Sequence, residues 1–331
     1  MIVSEAAIKR LAAIPNVTVL AKAPLADHTR FRIGGPAAVL CDASDSDSFI
    51  ECLRAVRTLA LPRMVIGGGT NLVVADAGFD GVVLRYTGAE IEHDSNLLRV
   101  QSGATLQDTV DRSIEYGLKG LETLTGIPGF LGGAVYGNAG AYGHSIQELV
   151  ERVWITDGED LRTVGNQECQ FHYRESVFKD RKEWAILSAE LRFTNAEPNA
   201  LCQVASEIRT IRDAKYPPSL RCAGSIYKNV FFADLPASAQ AEVPSSLVRD
   251  GKVPSAWFLE QVGAKGMQRG DIHVASYHAN LIYNAGAGTA ADLVSVIDEL
   301  KRRVRERFGF ALEEEVQYVG FEYAPAHLCR K

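Results

Sequence analysis

No stretch of this chain approaches the roughly 20 consecutive apolar residues that cross a bilayer, so a helical membrane protein is not expected. There is no CxxC pair, and no histidine stands at metal-ligand spacing beside any of the six cysteines, Cys41, Cys52, Cys169, Cys202, Cys222 and Cys329. That excludes a zinc framework, leaves no metal site to expect, and reads as reduced thiols in a reducing cytoplasm. Basic runs are missing too, apart from the short KRRVRER near the C-terminus, which reads as a helix face. With a formal charge of −6 and 23% charged residues of both signs, nucleic acid is not an expected partner. The N-terminal MIVSEAAIKRLAAIPNVTVL carries charges through its apolar stretch, so it does not read as a leader. A soluble, unexported, cytoplasmic protein is expected.

What is present fits a globular enzyme. At 331 residues the chain is long for one core and predicts two or three domains. The first 20 or so residues read as helical, with Ile8, Leu11 and Ile14 on one face before Pro15. FRIGGPAAVLCDA reads as a strand broken by a Gly-Gly-Pro turn, SDSDSFIECLRAVRTLAL as a helix burying Phe49, Leu53 and Val56, and RMVIGG as a strand, together a βαβ unit. From about Asp80 to Asn195 shorter strands (GVVLRY, LLRVQSG, RVWITDG, WAILSAELRF) flank one helix, TLQDTVDRSIEYGL. EPNALCQVASEIRTIRDAKYP reads as a helix closing at Pro217 and Pro218, a candidate boundary. Beyond it, SAWFLEQVGAKGM, the strand NLIYNAG, the long helix TAADLVSVIDELKRRVRERFG and the strand of LEEEVQYVG read as a separate α/β domain.

Two glycine-rich blocks carry the chemistry. GGGTNLVV (67–74) follows a strand and returns to β-branched, extended sequence, whereas the dinucleotide fingerprint GxGxxG opens a helix. A glycine nest of this kind is a different phosphate cradle. TGIPGFLGGAVYGNAGAYG (125–143) holds seven glycines in nineteen residues, too many for a helix or strand interior. Its glycines alternate with Ile127, Phe130, Leu131, Val135, Tyr136 and Tyr142, which a flexible polar linker would not do. Close backbone packing suits a flat ring system bearing a diphosphate.

Together with YRESVFK (173–179), AGSIYKN (223–229), GAKGMQRGDIHVASYHANLIYN (263–284) and LEEEV (312–316), these blocks resemble the UDP-N-acetylenolpyruvoylglucosamine reductase family in order and spacing, from about Thr29 to Gly320. The resemblance implies an α+β chain: a two-lobed FAD-binding domain of the vanillyl-oxidase (PCMH) type, residues 1–85 and 86–200, then a C-terminal α/β substrate-binding domain, 201–331. It implies non-covalent FAD with NADPH as hydride source, and reduction of the enolpyruvyl C=C to give UDP-N-acetylmuramate for peptidoglycan. Covalent flavin is not expected, because neither block contains a His or Cys.

The resemblance also assigns residues. Ile66, Gly67, Gly68, Gly69, Thr70 and Asn71 would cradle the FAD diphosphate. Gly126, Ile127, Pro128, Gly132, Gly133, Tyr136, Asn138 and Gly140 would line the rest of the cofactor. Ser225 matches the proton-donating serine, with Arg174 and Glu315 as the other catalytic groups. Tyr173, Lys215, Lys228, Asn229, His278 and Asn280 would bind substrate. On the residues alone, Ser225 reads as the cap of a turn and Arg174 as a surface arginine, while His278 reads equally as a satisfied core histidine. The chain departs from the family's pattern at Thr70 (usually Ser), at SIYKNV (usually SFFKNP), and at Glu314, where proline is usual and the turn is therefore expected to be less rigid. No long insertion follows YRESVFK, which is similar to the subclass lacking a substrate-covering tyrosine loop, so another group must cover the substrate. A different flavin oxidase and a non-catalytic flavin-binding protein are the alternatives; AGSIYKN and LEEEV, outside the cofactor segments, argue against the first, and the second predicts that the Ser, Arg and Glu are dispensable.

Overall fold

The computed structural model describes residues 3–321. Its two compact units are discontinuous in sequence. One takes the chain up to Ala23, then Ala37–Gly69 and Asp80–Lys215; the other takes Pro24–Pro36, Thr70–Phe79 and the chain from Tyr216 onward.

The first unit has two lobes. In the first lobe a four-stranded sheet runs in the order Val17–Pro24, Pro36–Ala43, Phe79–Tyr86, Arg63–Ile66, the last two parallel. The helix Ser46–Thr58 packs on it through Phe49, Leu53 and Val56, and Asp45 caps it by accepting the Ser48 N–H at 2.9 Å. The second lobe holds a five-stranded antiparallel sheet, Leu161–Gly165, Val150–Thr156, Ala185–Arg192, Leu97–Gln101, Ile91–Asp94. One of its faces buries Leu98, Val100, Val153, Ile155 and Ala189 with the helix Leu106–Glu115. Ala185 and Leu187 instead join the core of the first lobe, which ties the lobes together.

Three local expectations are corrected. The N-terminal helix spans only Glu5–Ala12; Asn16, at φ 54°, turns the chain into the strand Val17–Pro24, where the β-branched Val-Thr-Val favours extension. Phe31 to Gly35 is not strand, which begins at Pro36. The second glycine block does contain a helix, Leu131–Tyr136. Glycine is tolerated inside it because the packing demands it: a Cβ on Gly132 would stand 2.7 Å from the Ser102 Cβ.

The second unit gathers three chain segments around the helix Ala290–Phe308, which buries Leu293, Val296, Ile297, Leu300 and Val304. A four-stranded sheet, Cys222–Ser225, Leu281–Asn284, Ile272–Val274, Gln268–Arg269, covers that core. The segment after the glycine nest is held here by the parallel pairing of Leu72–Val74 with Gln317–Val319. Its Asp76 carboxylate accepts the N–H groups of Ala290 and Ala291 at 2.8 and 2.9 Å, an anion on a helix N-terminus. The segment before it is held by Asn284, whose Nδ2 donates to the Phe31 carbonyl at 3.0 Å.

Inside this unit lies a buried ion pair. Lys301 Nζ donates to Glu314 Oε1 at 2.9 Å, with side chains 6% and 2% exposed. Glu314 thus anchors the segment into the core where a proline would have stiffened it, against the expectation of a looser turn. Removing one partner of such a pair strands a charge, while removing both does not. Lys301→Met should therefore cost about 3–5 kcal/mol of unfolding free energy, and Lys301→Met with Glu314→Leu should recover most of it. Urea unfolding of the two variants checks this; equal losses would mean that packing, not charge, sets the cost.

Candidate active site

In the second unit, Ser225 and Glu315 come from two segments laced together by backbone. The Lys228 N–H donates to the Glu313 carbonyl at 2.9 Å, and the Glu315 N–H to the Ile226 carbonyl at 2.7 Å, with Tyr227 bridged to Glu314. This short antiparallel ladder fixes the register of LEEEV against SIYKN. Side chains alternate along an extended segment: Glu313 is exposed, Glu314 buried and Glu315 half-buried. Position therefore decides which of three glutamates is available for chemistry. The ladder's bonds run through the neighbours of Glu314, so a proline there is compatible with it. On its other side Glu315 is held by Asn71, whose Nδ2 donates to the Glu315 carbonyl at 2.8 Å, while the Gln317 N–H donates to the Asn71 carbonyl at 2.9 Å.

Ser225 ends the strand Cys222–Ser225 and pairs with Leu281. Its Oγ lies 2.9 Å from the Tyr216 hydroxyl, which in turn lies 3.4 Å from His278 Nε2. Sequence reasoning passed over Tyr216; its only signal was a phenol between Lys215 and two prolines.

Two residues expected to bind substrate are committed elsewhere. Asn280 is 3% exposed; its Oδ1 accepts the Tyr227 N–H and its Nδ2 donates to the Tyr227 carbonyl and to Ser255 Oγ, each at 2.9 Å. With both donors and its acceptor used, it braces the serine strand. Lys228 is also buried and its Nζ is 2.7 Å from Glu313 Oε1. Beneath them, burial first and the Glu314 carboxylate second hold the Tyr227 phenol well above its ordinary pKa, so it remains a donor to the Ile297 carbonyl at 2.7 Å. Asn229 is exposed and His278 half-buried.

In the first unit, Arg174 occupies a two-residue turn closed by reciprocal hydrogen bonds between His172 and Glu175, at φ 59°. A left-handed arginine is a strained residue that its surroundings must hold. Its Nη2 donates to the Gly140 carbonyl at 2.8 Å and its Nη1 reaches the Asn138 carbonyl at 3.5 Å, while Lys179 Nζ donates to its carbonyl at 2.6 Å. The guanidinium also lies 5.5 Å from the Tyr173 ring centroid. The side chain of Asn138 is spent on the protein, donating to Gln147 and to the His172 carbonyl at 2.8 and 2.7 Å, so it braces this turn. Lys215 is exposed and ends the helix Pro198–Lys215.

The same unit brings the two glycine blocks together. A Cβ on Gly68 would stand 3.1 Å from the Gly129 Cα, and one on Gly67 would reach only Phe130 and Gly133, at 3.7 Å or more. A Cβ on Gly133 would meet nothing within 4 Å. Close packing therefore explains Gly68 but not Gly67 or Gly133. A Cβ on Gly67 would make only ordinary contacts, and Gly133 is exposed with open space beside it. Gly69, at φ 66°, turns the chain where Ile66 ends its strand and leads on to Thr70. Gly126, at φ 76°, donates its N–H to Gln107 Oε1 at 2.8 Å and is followed by Ile127 and the exposed Pro128. The Tyr136 carbonyl accepts the Ser176 hydroxyl at 2.6 Å, tying this block to the arginine turn.

Comparison with known proteins agrees with this geometry. An FAD binding domain model matches residues 36–159, and the C-terminal domain model of UDP-N-acetylenolpyruvoylglucosamine reductase matches residues 216–319. The reductase of Solibacter usitatus is 53% identical over 94% of this chain and 100% of its own length. That of Bacillus subtilis is 34% identical over 91% of this chain and 94% of its own. The crystal structure of the Thermus caldophilus reductase superposes with a TM-score of 0.70 at 27% identity, covering 92% of this chain and 98% of that one. The α+β fold is thus an FAD-binding domain followed by the reductase's C-terminal domain, and the chain belongs to the UDP-N-acetylenolpyruvoylglucosamine reductase family.

Proposed function

We propose that this protein uses FAD and NADPH to reduce the enolpyruvyl C=C of UDP-N-acetylenolpyruvoylglucosamine to UDP-N-acetylmuramate, in the cytoplasm, for peptidoglycan synthesis. The first unit, with its two lobes, serves chiefly the flavin and the second unit the substrate. The observation that carries the reading is the ladder that sets Ser225 and Glu315 on neighbouring segments, a pairing that flavin binding alone does not need. FAD, when bound, supplies hydride transfer from NADPH to the substrate's terminal methylene carbon.

The protein's own groups handle the charge that this leaves. Hydride addition at the methylene puts negative charge on the carbon bearing the carboxylate, as an enolate. The Arg174 guanidinium fork, aimed by two backbone carbonyls, suits a carboxylate. A carboxyl in its acid form can donate a hydrogen bond to an enolate, and that is the role given to Glu315. Ser225 delivers the proton to carbon. A serine hydroxyl is a weak acid, but an enolate carbon is a strong base, so the transfer proceeds if the serine is reprotonated. Backbone from Ile66 to Asn71 holds the diphosphate, and the 126–140 block receives the rest of the non-covalent flavin. Lys215 and Asn229 are the groups for the nucleotide end, with Tyr173 and His278 as further substrate-binding groups, while Lys228 and Asn280 position the serine strand from within.

Two experiments bear on this. Ser225→Ala should leave NADPH reduction of the flavin near the wild-type rate and slow reoxidation by the enolpyruvyl nucleotide by about three orders of magnitude. Arg174→Lys should cost the same half-reaction about 3 kcal/mol, on the order of a hundredfold. Equal losses in both half-reactions, followed by stopped flow, would return these residues to structural roles.

The glycine surface has its own test. Gly133 lies inside a helix with room for a methyl group, so Gly133→Ala should stabilise the flavin-free protein by about 0.5–1 kcal/mol. The same methyl occupies the flavin's side of the backbone and should weaken FAD binding measured by fluorescence titration. Unchanged FAD affinity would remove Gly133 from the cradle.

A further inference from the structure

The ladder explains how Ser225 is placed, but not how an aliphatic hydroxyl gives up a proton. We propose that Tyr216 supplies the proton that Ser225 passes to carbon, with His278 next behind it; this rests on the role given to Ser225 above. The observation is the run of three groups within the second unit, Ser225 Oγ to Tyr216 Oη at 2.9 Å and Tyr216 Oη to His278 Nε2 at 3.4 Å. All three side chains are half-buried, so the run connects the serine to a partly hydrated surface.

Acidity sets the direction. A phenol is a far stronger acid than an aliphatic hydroxyl. A serine acting alone would finish as an alkoxide. With Tyr216 donating to it, the Ser225 O–H bond breaks as the C–H bond forms, the Tyr216 O–H bond breaks as a new Ser225 O–H bond forms, and the charge comes to rest on a phenolate. His278 Nε2–H then restores the phenol as its Nδ1 takes a proton from solvent, so the imidazole stays neutral and solvent supplies the net proton. These are proton transfers only; no oxidant or reductant enters.

Geometry favours the same polarity. Tyr216 has one proton to give, and when it points at Ser225 Oγ the serine's own proton is turned away from the tyrosine and toward a reaction partner. The imidazole packs edge-on to the tyrosine ring, centroids 6.0 Å apart at 67°, which places a ring nitrogen near the hydroxyl. Tyr216 is thus a positioning and proton-supplying residue that acts through Ser225.

Tyr216→Phe removes the hydroxyl and keeps the ring. NADPH should reduce the flavin of this variant at the wild-type rate, and UDP should bind it within about twofold of wild type by calorimetry. Reoxidation by UDP-N-acetylenolpyruvoylglucosamine should slow by about a hundredfold or more. In a Ser225→Cys background, where the thiol is itself an acid with a pKa of about 8.5, adding Tyr216→Phe should change reoxidation by less than about threefold. Wild-type reoxidation in Tyr216→Phe overturns the inference. So does an equal loss in the serine and cysteine backgrounds, or a variant that no longer folds or holds flavin, since each assigns Tyr216 to packing. If wild-type protein reduced by NADPH is not reoxidised by the nucleotide at all, the functional reading itself falls, an outcome distinct from the other three.

Discussion

Hydrogen bonds between one short run of backbone and its two neighbours hold the chemistry of the second unit in place. Glu313 and Glu315 bond to Lys228 and Ile226 on one side, and Glu315 accepts from Asn71 on the other. Backbone ladders fix register to the residue, and a slip of one position would exchange Glu315 for a neighbour on the wrong face. Much else in this unit keeps that run still. Lys301 draws Glu314 into the core, Asn280 brackets Tyr227, and the Tyr227 hydroxyl is tied to Ile297 of the long helix. The polar interior costs desolvation, and what it secures is the placement of one serine and one carboxyl.

Asn71 gives the ladder a second meaning. It stands at the end of the glycine nest, and its amide is spent on the Glu315 carbonyl rather than on a ligand. Asn71, the last residue proposed for the diphosphate, thus holds the glutamate segment through its side chain and through its carbonyl, which accepts the Gln317 N–H. In the other unit Arg174 is held by a different device, a left-handed turn whose guanidinium is steered by two carbonyls of the second glycine block. In each unit a residue proposed for catalysis is braced by a segment proposed to bind the cofactor.

Periodicity made much of this legible. The helices Ser46–Thr58, Leu106–Glu115, Pro198–Lys215 and Ala290–Phe308 lie where apolar spacing and caps placed them. The helix in LGGAVY was not legible, because its glycines answer to Ser102, a contact far along the chain. Nor was the discontinuity of the units, which depends on Asp76 capping a helix more than two hundred residues away. The motifs identified Ser225 and Glu315 but not what their neighbours do. Asn280, Lys228 and Asn138 look like ligands in a motif, yet their amides and ammonium groups are used by the protein itself. Tyr216 belongs to no motif and became visible only when folding set its hydroxyl beside the serine.

The central claim is that the flavin reduced by NADPH is emptied by an enolpyruvyl nucleotide. It is tested most directly by reducing the purified protein anaerobically with NADPH and mixing it with UDP-N-acetylenolpyruvoylglucosamine while following flavin absorbance. The oxidised band should return in full as UDP-N-acetylmuramate forms in equal amount. Flavin that stays reduced until oxygen is admitted would contradict it.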